Sequence, residues 1–216
     1  MGVESKTMLF QRRMLGLLCA LLAPACIIFG FFGADSNLPG WYKSISATFY
    51  ASSNICMIGL LFCTAVFFAC YHGYDWRDRL MSAIQSLGAL GIIVFPCRTP
   101  GVPERVGIFQ LSVDTSHVLH SVFASVLFLA FAVNIFFLFT LGNSNTEQKK
   151  RRNLVYRICG VVIFAFCVIQ AVEISFFKSY IPQWFPLTWL NEFVMLEAFA
   201  VAWLVKAEAI AALNDD

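Results

Sequence analysis

Charge is scarce in this chain. Lys, Arg, Asp and Glu make up 13% of its 216 residues, about half the share of an ordinary soluble domain. So thin a polar coat excludes a soluble protein, because a domain of this size has too little interior to hide the remaining apolar surface. The net charge of +2 is too small to argue for nucleic acid as a partner. Histidine occurs only 3 times, which leaves few groups for metal or acid–base chemistry. There is no CxxC pair, HExxH helix, phosphate-cradling glycine loop, nucleophile elbow, or haem or dinucleotide signature. None of the familiar catalytic or cofactor motifs therefore announces an activity.

What is present is apolar. Hydrophobic residues reach 59%, and 23 of them are phenylalanine. A run of about 20 such residues crosses the ~30 Å hydrocarbon layer as a helix. Six runs qualify, at about 14–34, 47–71, 81–97, 118–141, 154–177 and 188–205. The expected fold is all-α: one polytopic integral membrane domain of six transmembrane helices. The first run reads as a span and not as a cleaved signal, because it is long, holds Pro24 in its middle and meets no A-x-A site. Pro24 is expected to kink the helix or to sit where a neighbour satisfies the freed carbonyl. The 8 cysteines fall within apolar runs or at their ends and read as small buried hydrophobes.

Basic residues set the orientation. Lys6, Arg12, Arg13, Arg77, Arg79, Lys149, Lys150, Arg151, Arg152, Arg157 and Lys206 fall on one side; Lys43, Arg98, Arg105 and Lys178 fall on the other. Both termini are therefore expected in the cytoplasm. The outer loop at 98–117 is long and contains Pro100, Gly101 and Pro103, and long loops in compact chains often carry function.

Polar side chains within the runs are costly in lipid and face the bundle interior. Here they gather at one depth, in the outer half. Helix two offers Ser46, Tyr50, Ser53 and Asn54 at helical spacing; helix four offers His117, His120 and Ser121. Gln170 and Glu173 lie on helix five, and Asn191, Glu192 and the deeper Glu197 on helix six, with Arg98 and Asp114 at the ends of helices three and four. This asymmetry suggests an outward polar pocket lined by helices two, four, five and six. The plain alternative is a set of interhelical hydrogen bonds that fix packing. In helix three, Ser82, Gln85, Gly88 and Gly91 recur every three residues, a stripe that reads as close helix packing and could also pair two copies of the chain.

The only ligand-like constellation is Asp114-x-x-His117-x-x-His120. Residues three apart share a helix face, so His117 and His120 could bind one metal ion, zinc being the candidate. A carboxylate as third ligand would complete a hydrolytic site.

The chain resembles the six-helix membrane proteins grouped as domain of unknown function 998. The likeness rests on Ser44, Ile45 and Ser46 before helix two, Gly59 within it, the Phe95–Pro96 pair, the proline- and glycine-containing loop leading to His120, and the basic run before helix five. It implies six helices and a bacterial inner membrane, without an established activity. Cys97 and Arg98 stand where that family has an acidic residue. A more distant likeness is to membrane hydrolases related to alkaline ceramidase, which use Ser, Asp and three histidines around zinc. Ser46, Asp114, His117 and His120 match in residue type, although those proteins have seven helices and a different histidine spacing.

Three functions follow as expectations. The first is a binding protein that holds a membrane lipid or small amphiphile in an outward pocket, as carrier, sensor or accessory subunit. Arg98, His117 and His120 would hold the headgroup, and Glu173 and Glu197 would shape the pocket. The second is a zinc-dependent hydrolase of a lipid amide or ester. The third is a structural partner of another membrane protein, or of a second copy, with no ligand.

Overall fold

The computed structural model describes residues 3–32, 40–142, 146–177 and 185–214. Among them are six α-helices: α1 (Val3–Phe32), α2 (Asn54–Cys70), α3 (Trp76–Val94), α4 (Val113–Val133), α5 (Glu147–Val172) and α6 (Leu187–Lys206). A two-stranded antiparallel hairpin, β1 (Arg105–Val106) and β2 (Leu111–Ser112), lies between α3 and α4. Four helices, α1, α4, α5 and α6, are long and apolar enough to cross a membrane. Large apolar side chains point outward along them, among them Leu17, Leu21, Val126, Phe164 and Val168. That coat suits lipid and not water.

The helix starts follow from local chemistry. Asp75 accepts the N–H groups of Arg77 and Asp78 at 2.9 and 3.1 Å, and so caps α3. Ser112 caps α4 through the N–H of Thr115 at 3.2 Å, and Thr146 caps α5 through that of Lys149 at 3.1 Å. Each cap satisfies a donor that the first helical turn leaves bare. Helix α3 stops because Pro96 has no N–H and disfavours helical geometry at Phe95, whose φ and ψ are −114° and 89°.

Consecutive helices pack side by side, and α6 closes a ring against α1. Arg12, near the start of α1, reaches the carbonyl of Lys206 at the end of α6, so neighbours run antiparallel. The described chain ends lie together at one end of the bundle, called here the terminal end; α3 finishes at the far end. Inside the terminal half, aromatic rings of α2, α4 and α6 form a plug. Phe131 stacks on Phe199 at 3.8 Å, and Phe68 meets Phe131, Phe199 and Trp203 within 6.1 Å.

The structure redraws several expected boundaries. The second apolar run divides into a 3-10 turn at Ser46–Tyr50 and the later helix α2. Ser46, Tyr50 and Asn54 therefore share no helical stripe, and Asn54 is exposed. Helix α1 continues through Pro24 without a break and includes Arg12 and Arg13. The fourth and fifth runs finish in π turns, Asn134–Leu138 and Glu173–Phe177. The end of the first run at 34 and Lys178 lie outside the described residues. All 8 cysteines are free thiols.

In the far-end loop, Gly107 has φ +70°, and a side chain there would meet the Val94 carbonyl and Pro96 Cδ at 2.9 Å. The hairpin thus presses directly on the end of α3. Phe109 stacks on Phe95 at 6.0 Å, and Phe95 stacks on Phe123 at 5.6 Å. Ile108 and Phe109 are exposed at the tip.

The small-residue stripe of α3 packs as expected. Ser82, Gln85, Gly88 and Gly91 are all buried. A methyl group on Gly91 would lie 2.1 Å from the Phe123 ring, and one on Gly88 would lie 3.0 Å from Leu127 Cβ. Gly91→Ala should therefore lower stability by about 1–3 kcal/mol through overpacking, seen as a lower melting temperature in detergent. Gly59→Ala, which meets nothing within 4 Å, should melt at the original temperature or above it; equal melting of the two variants would contradict the packing.

Candidate functional site

The polar residues of the far end surround the unwound segment 95–98. Ending α3 there leaves backbone groups that an apolar medium cannot solvate. Side chains take them one by one. His120 Nδ1 donates to the Phe95 carbonyl at 2.8 Å, and Ser116 Oγ donates to that of Pro96 at 2.8 Å. The Tyr50 hydroxyl donates to the Cys97 carbonyl at 2.9 Å. His117 Nδ1 accepts the N–H of Arg98 at 3.3 Å. The helix-four residues singled out by sequence thus share one structural task with Tyr50. Their carbonyl-bonded and N–H-bonded nitrogens are also assigned: protonated on His120, unprotonated on His117.

Beside this segment, Glu192 of α6 holds the turn that precedes α2. Its Oε2 accepts the Ile45 N–H at 2.6 Å. Tyr50, on the turn that follows Ile45, holds the Cys97 carbonyl, so Glu192 and Tyr50 tie this turn to α6 and to the end of α3.

Glu173 opens its π turn, an irregularity common at functional sites, and accepts Thr188 Oγ1 at 3.2 Å and Asn191 Nδ2 at 3.0 Å. Its carboxylate lies close enough to Glu192 for the two to feel each other. Among the described residues, Gln170 Oε1 and Asn191 Oδ1 find no hydrogen-bond partner though buried. Glu197 stands apart, deeper in the bundle beside Cys19 of α1. Asn54 joins none of these groups.

Arg98 and Asp114 form an ion pair at 2.7 Å, with 49% and 73% of their side chains exposed. So open a pair contributes little to stability, roughly 0–1 kcal/mol, and remains available to a ligand. From His117 onward an open, shallow groove of about 480 Å³ runs along the outward face of α4 alone, lined by His117, Val118, Ser121, Val122, Ser125, Val126 and Leu129. The valines and Leu129 are exposed there. Ser121 Oγ is turned back to the His117 carbonyl at 2.9 Å.

Among the described residues, no group of three or more His, Cys, Asp or Glu is arranged around a common point. Asp114, the carboxylate nearest in sequence to the two histidines, is engaged by Arg98.

Sequence reasoning missed Ser116, the groove itself and the role of residues 95–98. A signal was present: a proline ending an apolar run demands donors from a neighbour, and Ser116, His117 and His120 open the next helix. Comparison with known proteins adds nothing further: no family model, curated protein or solved structure matches the chain.

Removing a donor from the segment leaves a buried carbonyl bare, at about 1–3 kcal/mol. Ser116→Ala and His120→Ala should each lower the melting temperature, whereas Ser125→Ala, on the groove wall, should not. The Cys97 thiol, 6% exposed, should resist maleimide at pH 8 in the folded protein. It should react once the chain is denatured and the thiol meets solvent. The exposed Cys70 should react in both states; rapid labelling of Cys97 in the folded protein would contradict its burial.

Proposed function

We propose that the chain is a six-span protein of a bacterial inner membrane, with both termini cytoplasmic, that binds a lipid or small amphiphile along α4. The groove supports this reading. His117 stands at its upper end and accepts the N–H of Arg98, whose side chain forms the exposed pair with Asp114, and exposed valines run down the helix to Leu129. At 1.5 Å per residue, the wall from His117 to Leu129 is about 18 Å long. That length matches an acyl chain lying along the helix with its headgroup at the His117 end.

Six spans follow from adding α2 and α3 to the four apolar helices. They have 17 and 19 residues, or about 26 and 28 Å of helix. The polar residues of α3 point to its neighbours: Ser86 bonds the Ala65 carbonyl at 2.8 Å and Gln85 that of Ala130 at 3.3 Å. Its low hydropathy therefore does not expose polar groups to lipid. Kinship with the six-helix family of unknown function belongs to the same proposal. Its marker residues have structural partners here, Ile45 with Glu192 and the Phe95–Pro96 pair with His120 and Ser116.

The aromatic plug argues for a holder of ligand and against a continuous pore. Carrier, sensor and accessory subunit share this binding step. The hydrolase reading keeps one support, that His117 lines the groove with His120 one turn deeper.

A photoactivatable phospholipid, with its reactive group at mid-chain, tests the proposal in reconstituted protein. Crosslinks should concentrate on residues 118–129, fall roughly tenfold in Val122→Trp, and weaken in Arg98→Ala. Labelling spread evenly over the outward faces of α1, α4 and α5 would mean bulk lipid only and would overturn it. Metal analysis separates the second reading. About one zinc per chain, lost in His117→Ala/His120→Ala, would favour hydrolysis.

A further inference from the structure

A second charged cluster lies at the terminal end, the opposite end of the bundle from His117. Arg12 is only 4% exposed. Its Nε donates to the Tyr71 hydroxyl at 3.0 Å, its Nη1 to the Lys206 carbonyl at 3.4 Å, and its Nη2 faces Met8 Sδ at 2.9 Å. The guanidinium lies 4.8 Å from the centre of the Tyr74 ring. The Lys206 ammonium lies 5.4 Å from that same ring and 4.8 Å from the ring of Phe139. Lys149 and Arg152 also act electrostatically on this ammonium, and Asp78 is the acid that does so.

The other cations have acceptors. Lys149 bonds the Leu141 carbonyl at 3.1 Å and Arg152 that of Leu213 at 2.7 Å. Asp78 is partly committed to the Tyr74 N–H at 2.8 Å. Among the described residues, no hydrogen bond or ion pair holds the Lys206 ammonium, which meets aromatic faces alone. Arg12 and Lys206 thus share the face of one aromatic ring in a half-buried place. The negative ends of α2, α4 and α6 meet part of this demand, yet like charges over one ring remain costly without an anion.

We propose that this basket binds a phosphate group, carried by a lipid headgroup of the adjoining leaflet or by a free phosphate compound. The donors fit that chemistry. Lys206 offers its three N–H groups, Arg12 has two of its five uncommitted, and guanidinium–phosphate bonds are charge-assisted. Tyr74, 70% exposed, marks the open side. The proposal does not rest on the α4 groove, since no residue is shared.

The purified full chain in mild detergent is titrated with three probes: dioctanoyl phosphatidylglycerol, dioctanoylglycerol and inorganic phosphate. Binding is read by native mass spectrometry and by melting temperature. The phosphatidylglycerol should bind at least about tenfold tighter than dioctanoylglycerol and raise the melting temperature. Lys206→Met should lose that advantage and Lys206→Arg should restore it. Lys150→Met, which removes an exposed partner of Glu147, should change nothing. Inorganic phosphate binding as tightly as the lipid, and depending on Lys206, would support the site and assign it to a free phosphate compound. Equal binding of the two lipids, or unchanged phosphatidylglycerol binding in Lys206→Met, would overturn the proposal.

Discussion

A helix that ends within an apolar layer must give its last backbone groups somewhere to go, and the far end of this protein is organised around that requirement. Pro96 ends α3 and leaves residues 95–98 with carbonyls and an N–H outside any helix. His120, Ser116, Tyr50 and His117 take these groups. Their geometry fixes the first turns of α4 against α3 and fixes the turn before α2 against both. Glu192 then ties that turn to α6. The polar band seen in the sequence is therefore first a device for closing one end of a bundle. Arg98, Asp114 and His117 lie at the outer edge of this closure, where the Arg98–Asp114 pair is exposed.

The two halves of the bundle solve different problems. In the terminal half, rings of Phe68, Phe131, Phe199 and Trp203 interlock and fill the interior. Basic and amide side chains at that end also terminate helices. Gln11 bonds the Cys70 carbonyl at the end of α2, Arg12 and Arg13 bond those of Lys206 and Ala207, and Lys149 bonds that of Leu141. Lys and Arg here complement the negative ends of α2, α4 and α6. Basic residues that read in the sequence as orientation signals thus also cap helices.

The all-helical fold was legible because length and apolarity alone decide it, and the α3 packing stripe because small residues at a spacing of three have few other uses. Helix ends were less legible. Apolar runs do not show where a backbone unwinds, so the 3-10 turn at Ser46–Tyr50 was hidden within the second run. The candidate site was legible as a depth and not as a set of contacts. Ile45 with Glu192, and Arg98 with Asp114, are pairings between distant segments that spacing cannot disclose. Arg12 and Lys206 read as orientation signals in the sequence; only the meeting of α1 with α6 shows that they share the Tyr74 ring.

The hairpin after α3 is mechanically part of the bundle. Its turn needs Gly107 against Val94 and Pro96, and Phe109 leans on Phe95, which leans on Phe123 of α4. Three stacked rings join an exposed loop to the helix that bears the groove. Loop and groove are therefore not independent modules. Grafting a different loop here, or inserting a tag between Gly107 and Gln110, would disturb the stack that seats Phe95, and with it the carbonyl that orients His120. The same coupling limits divergence: the loop is free to change in length before β1 or between strand and cap, but not at the glycine and phenylalanine that press on α3.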